Sequence, residues 1–430
     1  MSALHETTVP LSIHSGQTGI LIVAKTIAFP RPPINPNVGT ARVPIIAMGS
    51  GLTLNGVIRI LGRAGLPVYC VCPSDDFVVH SRWYREPPLH GCANLKPSEL
   101  ETFLRSLDCD EAVLMPCSDD WLRATISLPP TLVRRHHASL PAPQVVEGML
   151  NKWKFAQILM LVGTPHPQTI LLQSAADVRN LTEHYFGDRI FKPESSIEFA
   201  AKHGVKGYLV RNRAEALAVA EKVDYPILLQ EYIPGPPTQS YFIDGFVDRY
   251  GCVCARFARQ RIRMFPRNLG NSSLTVSIAL TQVGDAIARL DHLLKKIAYR
   301  GIFSAEFKYD SRDNLFKLLE VNARPWWYVE FAAQCGVDVC SMAYADALDL
   351  LVEPTEQYEI GRSCMFLPND LRAYRDPHSE NGHHFWQWMH SWSAANDALF
   401  SLSDIGPGIA FTRSIGKSAL RRAWRTHRSG

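Results

Sequence analysis

Apolar and polar positions fall into blocks along this chain, and the blocks carry two periods. From Arg42 an apolar run, VPIIAM, leads into GSGLTLNG and a stretch where Val57, Ile58, Ile60 and Leu61 recur at helical spacing; LPVYCVCP is a second apolar run. Strand, helix and strand in that order form a βαβ unit, which demands a parallel sheet. The pattern predicts a helix over about 98–107 with Ser98 as its N-cap. A third strand, EAVLMP, is closed by Cys117, Ser118, Asp119 and Asp120. These elements make an open α/β domain that ends near residue 140.

Beyond it the pattern predicts a helix from Asn151 to Leu161, stopped by Gly163, Pro165 and Pro167. Strands follow at DRIFKP and YLV, then a helix from Arg213 to Val223 and a strand PILLQEYI that ends at Pro234-Gly235. Residues 240–280 read as meandering strands with turns at Asp244-Gly245 and over 267–273. After a helix at about 282–298, FSAEFKYD and LFKLLEVN flank the turn SRDN. The chain past Cys335 reads as helical and then aromatic-rich, with His383, His384 and His390 in HHFWQWMHSW, a packed helix or an acceptor-pocket wall. His136-His137 reads as a surface loop. Residues 1–42, rich in Pro, Thr and Gly, read as an extension with little regular structure. No internal repeat is visible.

Candidate chemistry concentrates on the last strand pair. Pairing about SRDN sets Glu306 opposite Glu320, and facing like charges destabilise a hairpin unless something positive lies between them. Asn322 shares a face with Glu320, because strand side chains alternate. Two carboxylates and an amide oxygen suit Mg²⁺, which keeps water and phosphate as its remaining ligands. Arg324 follows on the same side. A solvent-facing hairpin with ordinary acids is the competing explanation. Lys152 opens a helix and Lys192 ends a strand beside a loop holding Gly204 and Gly207, a place for phosphate charge or, more simply, for a solvated amine. Gln230, Glu231, Tyr232 and Ile233 stand where a strand stops. Arg259, Arg261 and Arg263 share one strand face, either as anion holders or as a charged edge.

Taken in order, these pieces resemble the ATP-grasp superfamily of carboxylate–amine ligases over about 43–345. The matches are Asn151-Lys152, Phe191-Lys192-Pro193, Gln230-Glu231-Tyr232-Ile233-Pro234-Gly235, and Glu306 followed by Leu319-Glu320-Val321-Asn322-Ala323-Arg324-Pro325. The resemblance implies an open parallel-sheet N-terminal α/β domain followed by two α+β lobes that clamp ATP. It implies a ligase that activates a carboxylate as an acyl phosphate for attack by an amine, with ATP and Mg²⁺, or Mn²⁺ in its place, as cofactors. Carried over by position, Lys192 and Lys152 would hold the phosphates, and backbone groups of Gln230 and Ile233 in the hinge around Glu231 would meet adenine. Glu306, Glu320 and Asn322 would bind the metal, and Arg324 would steady the transferring phosphoryl group. Arg259, Arg261 and Arg263 would hold the substrate carboxylate. The loop after Lys192 has few glycines, which leaves the roles of Lys202 and Lys206 open. The acid that often holds the ribose after the hinge is absent, so Gln239 or Ser240 would serve, and Asn151 replaces an aspartate.

The implied organisation is an extension (1–42), an α/β domain (43–140), a small lobe (141–230), a large lobe (231–350) and a C-terminal helical region with a basic tail (351–430). Length and composition agree with several packed domains: 430 residues, 46% hydrophobic and 20% charged. Net charge is +4, but from Phe411 onward lie Arg413, Lys417, Arg421, Arg422, Arg425 and Arg428 and no acid. Without those six the body is slightly acidic, which argues against nucleic acid as the main partner; a nucleic-acid role for the tail competes. A nicotinamide site at GSGLTLNG also competes, although Leu54 stands where the third glycine of GxGxxG belongs. A bicarbonate-activating carboxylase is the alternative within the superfamily. Small-molecule carboxylate and amine substrates are the expected partners, with room for a homo-oligomer. No apolar run approaches a membrane span. The N-terminus lacks the pattern of a secretory signal, and the ten cysteines lie singly or as CxC in strand runs, so a reduced cytoplasmic setting is expected.

Overall fold

The structure is a computed structural model that describes residues 43–88, 94–194, 199, 202–267, 269–355, 357–376 and 385–415. The expected N-terminal extension and most of the basic tail lie outside these residues.

Three sheets organise the chain. The first has strands β1 (Ile45–Met48), β2 (Val68–Val71), β3 (Ala112–Pro116) and β4 (His136–His137), all parallel, in the order β2-β1-β3-β4. Along β1, Ile45 and Ala47 enter one apolar cluster while Ile46 and Met48 enter another. Both faces of the sheet are therefore covered, which is why its strands read as unbroken apolar runs. His136 is buried in β4, with its Nδ1 at 3.1 Å from the Leu132 carbonyl, so the expected surface loop is a strand. Ser98 does not cap the second helix. Lys96 opens a 3₁₀ turn, its N–H donating to Glu99, and the helix proper runs Leu100–Ser106.

The second sheet is antiparallel, with β5 (Thr169–Leu172), β6 (Arg189–Lys192), β7 (Tyr208–Val210) and β8 (Ile227–Glu231) in the order β5-β8-β6-β7. It has its own core around Phe191, Val210 and Leu229. The helix Lys152–Val162 does not join that core. Its Phe155, Ile158 and Leu159 pack with Ile243, Leu290 and Leu318 of the third sheet's layer. Gly163, at φ 76, ends this helix as the pattern predicts.

The third sheet joins β9 (Ser240–Val247), β10 (Val253–Phe265), β11 (Asn271–Ser277), β12 (Gly301–Asp310), β13 (Leu315–Asn322), β14 (Ser363–Met365) and β15 (Ala395–Asp397) in the order β13-β12-β9-β10-β11-β14-β15. Two features differ from expectation. Asp244-Gly245 is no turn but the middle of β9, where a Cβ on Gly245 would stand 2.2 Å from the Ala255 carbonyl and 2.6 Å from the Phe303 ring. Glycine is there for close approach of neighbours, and the chain reverses at 248–251 instead. The C-terminal region, expected to be helical, also adds two strands to this sheet. A buried cluster ties it to the first domain: Arg59, fully buried, donates to Asp404 at 2.8 Å and to Glu330 at 3.2 Å.

Candidate active site

Between the second and third sheets lies a cleft of about 370 Å³. One stretch of its wall is apolar, with Leu150, Phe155, Leu159, Ile190, Ile233 and Leu318. The other is charged and brings together Lys152, Lys192, Lys206, Glu306, Glu320 and Asn322.

Each charged group is placed by its element. Lys152 opens its helix because Asn151 caps it: the Asn151 Oδ1 accepts from the Lys154 N–H at 2.9 Å, and its Nδ2 donates to Glu194 at 3.1 Å. An amide caps as an aspartate would and makes this second bond besides. Lys192, the last residue of β6, donates to Gln230 Oε1 at 2.9 Å, and Gln230 Nε2 donates in turn to Thr169. Lys206 reaches from the loop before β7 to Asn271 of β11 at 3.2 Å and so spans the cleft. Burial pushes Lys152 and Lys192 below the ordinary lysine range; Glu320 pulls each back, and Lys206 pushes each further down. Lys152 also lowers Lys192, and two buried amines with a third beside them in one cleft are chemistry suited to a polyanion. Lys202 is elsewhere, paired with Asp224 on the surface.

Glu306 faces Glu320 across the β12–β13 hairpin, as the pairing predicts. The means differs from a plain hairpin. Phe307 pairs with Leu318, so a regular ladder would set Glu306 opposite Leu319; a bulge leaves Leu319 extra and brings Glu320 into register. Arg261 donates to Glu306 at 2.9 Å and supplies the positive charge such a pair requires. Asn322 donates to Glu320 at 3.2 Å, its Oδ1 accepts from Arg324 at 3.3 Å, and Arg324 donates to Asp119 at 2.6 Å. Two carboxylates and an amide oxygen are the hard donors that Mg²⁺ prefers, so the residues fit that ion.

No protein-family model matches the chain. It is 22% identical to the D-aspartate ligase of Enterococcus faecium over 314 residues, 66% of this chain and 71% of that protein. Its fold is similar to the L-amino acid ligase of Bacillus licheniformis, with a TM-score of 0.54 and 17% identity over 75% of this chain and 79% of the other. It is also similar to a biotin carboxylase domain from Hydrogenobacter thermophilus solved with MgADP and bicarbonate, with a TM-score of 0.58 and 15% identity over 74% and 73%. The chain has the ATP-grasp fold.

Within that ATP-grasp frame some expected residues stand elsewhere. Arg259 is 3% exposed, bonded to Asp244 at 2.7 Å and stacked on Phe242, and it does not line the cleft. Arg263 does line it, but its Nε and Nη2 are taken by Asp370 at 3.0 and 2.6 Å, so its charge is already balanced. Gln239 folds its amide against Gly235 and is not in the wall, whereas Ser240 is. The Glu231 carboxylate turns to Arg312 and Lys317 of the hairpin, and the N–H groups of Glu231 and Tyr232 bond Gln168 and Asp188. The Ile233 N–H makes no backbone bond among the described residues. Lys308 donates to the Gly235 and Pro236 carbonyls at 3.0 and 2.7 Å and fixes the loop after the hinge.

Asp119 and Lys308 are cleft residues that sequence reasoning did not single out, and Trp388, from the aromatic segment at 383–392, also lines the cleft. Asp119 had a signal, since it follows the carboxyl end of a parallel strand, where α/β sheets gather ligands. Of the two acids after the second strand that a nicotinamide site would draw on, Asp75 and Asp76, the second turns inward to accept from the Gly51 N–H at 2.9 Å, at the helix start where a pyrophosphate would lie. All described cysteines are free, and burial pushes Cys70 and Cys72 up to about 12, so neither is a thiolate nucleophile. No described helix is long and apolar enough to cross a membrane.

Proposed function

We propose that this protein is an ATP-dependent ligase that activates a carboxylate as an acyl phosphate for attack by an amine, an amino acid or small peptide, releasing ADP and phosphate. The observation that carries this reading is the convergence, in one cleft, of three lysines from one side with the Glu306–Glu320 pair from the other. Phosphoryl transfer is mainly a matter of positioning and charge neutralisation, and these are the groups that supply both. Mg²⁺, replaceable by Mn²⁺, would be held by Glu306, Glu320 and Asn322 and would neutralise charge on the phosphates.

The chain's own residues do the rest. Lys152, Lys192 and Lys206 bind and orient the phosphates. The Ile233 N–H, uncommitted at the hinge, meets the adenine edge, while Leu150, Leu159, Ile190 and Leu318 give the ring its apolar walls. Of Gln239 and Ser240, Ser240 takes the ribose position, since it lines the cleft. Arg261, beside Glu306, orients the attacking carboxylate, and Arg324, held by Asp119, stabilises charge on the phosphoryl group in flight. The free cysteines favour a reducing cytoplasm as the setting. The similarity to the D-aspartate and L-amino acid ligases supports an amino-acid substrate. The similarity to a bicarbonate-bound carboxylase domain supports a second reading, bicarbonate activation.

ADP and phosphate release should be followed with Mg²⁺·ATP across carboxylates, bicarbonate included, crossed with amines. Release that needs both an organic carboxylate and an amine is the expected result. Turnover on bicarbonate alone selects the second reading, and silence with every pair removes both.

A further inference from the structure

The cleft continues past Arg261 along β10 to a wall that phosphate chemistry does not use. Arg261 and Arg263 are two residues apart on β10, and bulges on either side of Arg263 let it and the adjacent Met264 both line the cleft. Arg263 is clamped there. Asp370, fully buried in the helix Leu367–Arg375, accepts both of its bonds and also those of Ser273 at 2.7 Å and the Trp392 indole at 2.7 Å. The Arg263 Nη2 donates further to Ser391 at 2.9 Å, and the guanidinium lies 3.9 Å from the centre of the Trp388 ring. Trp388, from the helix Phe385–Ala394, is 3% exposed and forms part of the cleft wall beside Met264, Leu269 and Ala373. The rim of this wall carries one positive and one negative side chain, Arg267 and Asp376.

We propose that Trp388, Met264, Leu269 and Ala373 form the pocket for the body of the carboxylate substrate, and that Trp388 sets a preference for a bulky apolar side chain. A carboxylate that attacks a phosphate must lie against Arg261 and the metal carboxylates, so its remaining atoms extend one strand step on, to this wall. The wall takes apolar groups because its one central cation is spent on Asp370 and covered by an indole. Arg263 and Asp370 are positioning residues: they aim Trp388 and touch no substrate. An aspartate side chain would bring a charge to the apolar floor of this wall, where Arg263 is already held by Asp370.

This inference rests on the ligase reading, and two measurements on the full chain separate their failures. In the first, hydroxylamine serves as the amine and hydroxamate is measured with phenylalanine, leucine, alanine and aspartate. Phenylalanine or leucine should exceed aspartate in kcat/KM by at least about tenfold. Trp388→Ala should raise the KM for phenylalanine about tenfold with kcat and the KM for ATP nearly unchanged, and Trp388→Phe should restore most of the loss. Asp370→Asn should reproduce the KM shift. Equal use of aspartate and phenylalanine, or an effect on the KM for ATP, overturns the pocket. In the second, calorimetry reads binding of the same amino acids to the protein holding Mg²⁺ and a non-hydrolysable ATP analogue. Selective binding of phenylalanine without hydroxamate keeps the pocket and removes the ligase reading, and unselective or absent binding removes the pocket.

Discussion

Lys192 shows how much a single residue's surroundings decide. An amine at a strand end is ordinarily solvated, but here burial lowers its proton affinity and two more lysines add to the effect. A bound polyanion reverses both influences, so nucleotide binding should take up protons, measurable by calorimetry in buffers of different ionisation enthalpy. The sign for affinity follows: the neutral amine cannot pair with phosphate, so nucleotide affinity should fall as pH rises, beginning below the free lysine value of 10.5. Lys192→Ala should lower kcat about a hundredfold or more, as loss of one preorganised cation does. Glu320→Gln, which removes charge from the proposed metal site, should raise the Mg²⁺ concentration needed for half-maximal rate at least about tenfold. Undiminished turnover at low Mg²⁺ in that variant would remove Glu320 from the proposed metal ligands.

Among the elements, the β12–β13 hairpin and strand β9 carry the most information. The hairpin needs both its turn and its bulge to set two glutamates face to face, and Arg261 from β10 makes that tolerable. Strand β9 admits only glycine at 245. Gly245→Ala would press a methyl group into the Ala255 carbonyl and the Phe303 ring, and should cost roughly 2–3 kcal/mol in urea denaturation. At the helix that carries Lys152, loss of the cap in Asn151→Ala should cost about 1 kcal/mol. It should also weaken nucleotide binding, because the first turn frays where the lysine sits. A stability loss with unchanged nucleotide affinity would detach Lys152 from the phosphates.

For the whole molecule, the buried Arg59 cluster joins the first domain to the C-terminal region, 345 positions apart in the chain. Removing one partner leaves buried charges without compensation, so Arg59→Ala should cost about 3–5 kcal/mol. The cluster also sets an acid limit. Burial works to raise Asp404, but bonds from Arg59, Arg82 and Ser81 bring it below its usual value of 3.8. A carboxylate depressed on folding stabilises fully above its unfolded value, and that contribution is lost as pH falls through the lower folded one. Acid unfolding monitored by circular dichroism should therefore begin at higher pH in Asp404→Asn than in the parent chain.

The sequence by itself determined the parallel α/β start, the helix that Lys152 opens, and the hairpin that opposes Glu306 to Glu320. These depend on local periodicity, capping and turn position, all of which act over a few residues. Only the tertiary structure decided which charges are available. Arg259 and Arg263 share a strand face with Arg261 in any reading of the pattern. What separates them is which acid claims each guanidinium: Arg261 pairs with Glu306 inside the cleft, whereas Asp244 and Asp370, 15 and 107 positions away, hold Arg259 and Arg263. The same holds for Asp244-Gly245, whose composition suggests a turn until Ala255 and Phe303 are packed against it. Long-range partners set burial and pairing, and burial and pairing settle whether a charged side chain serves the fold or the ligand.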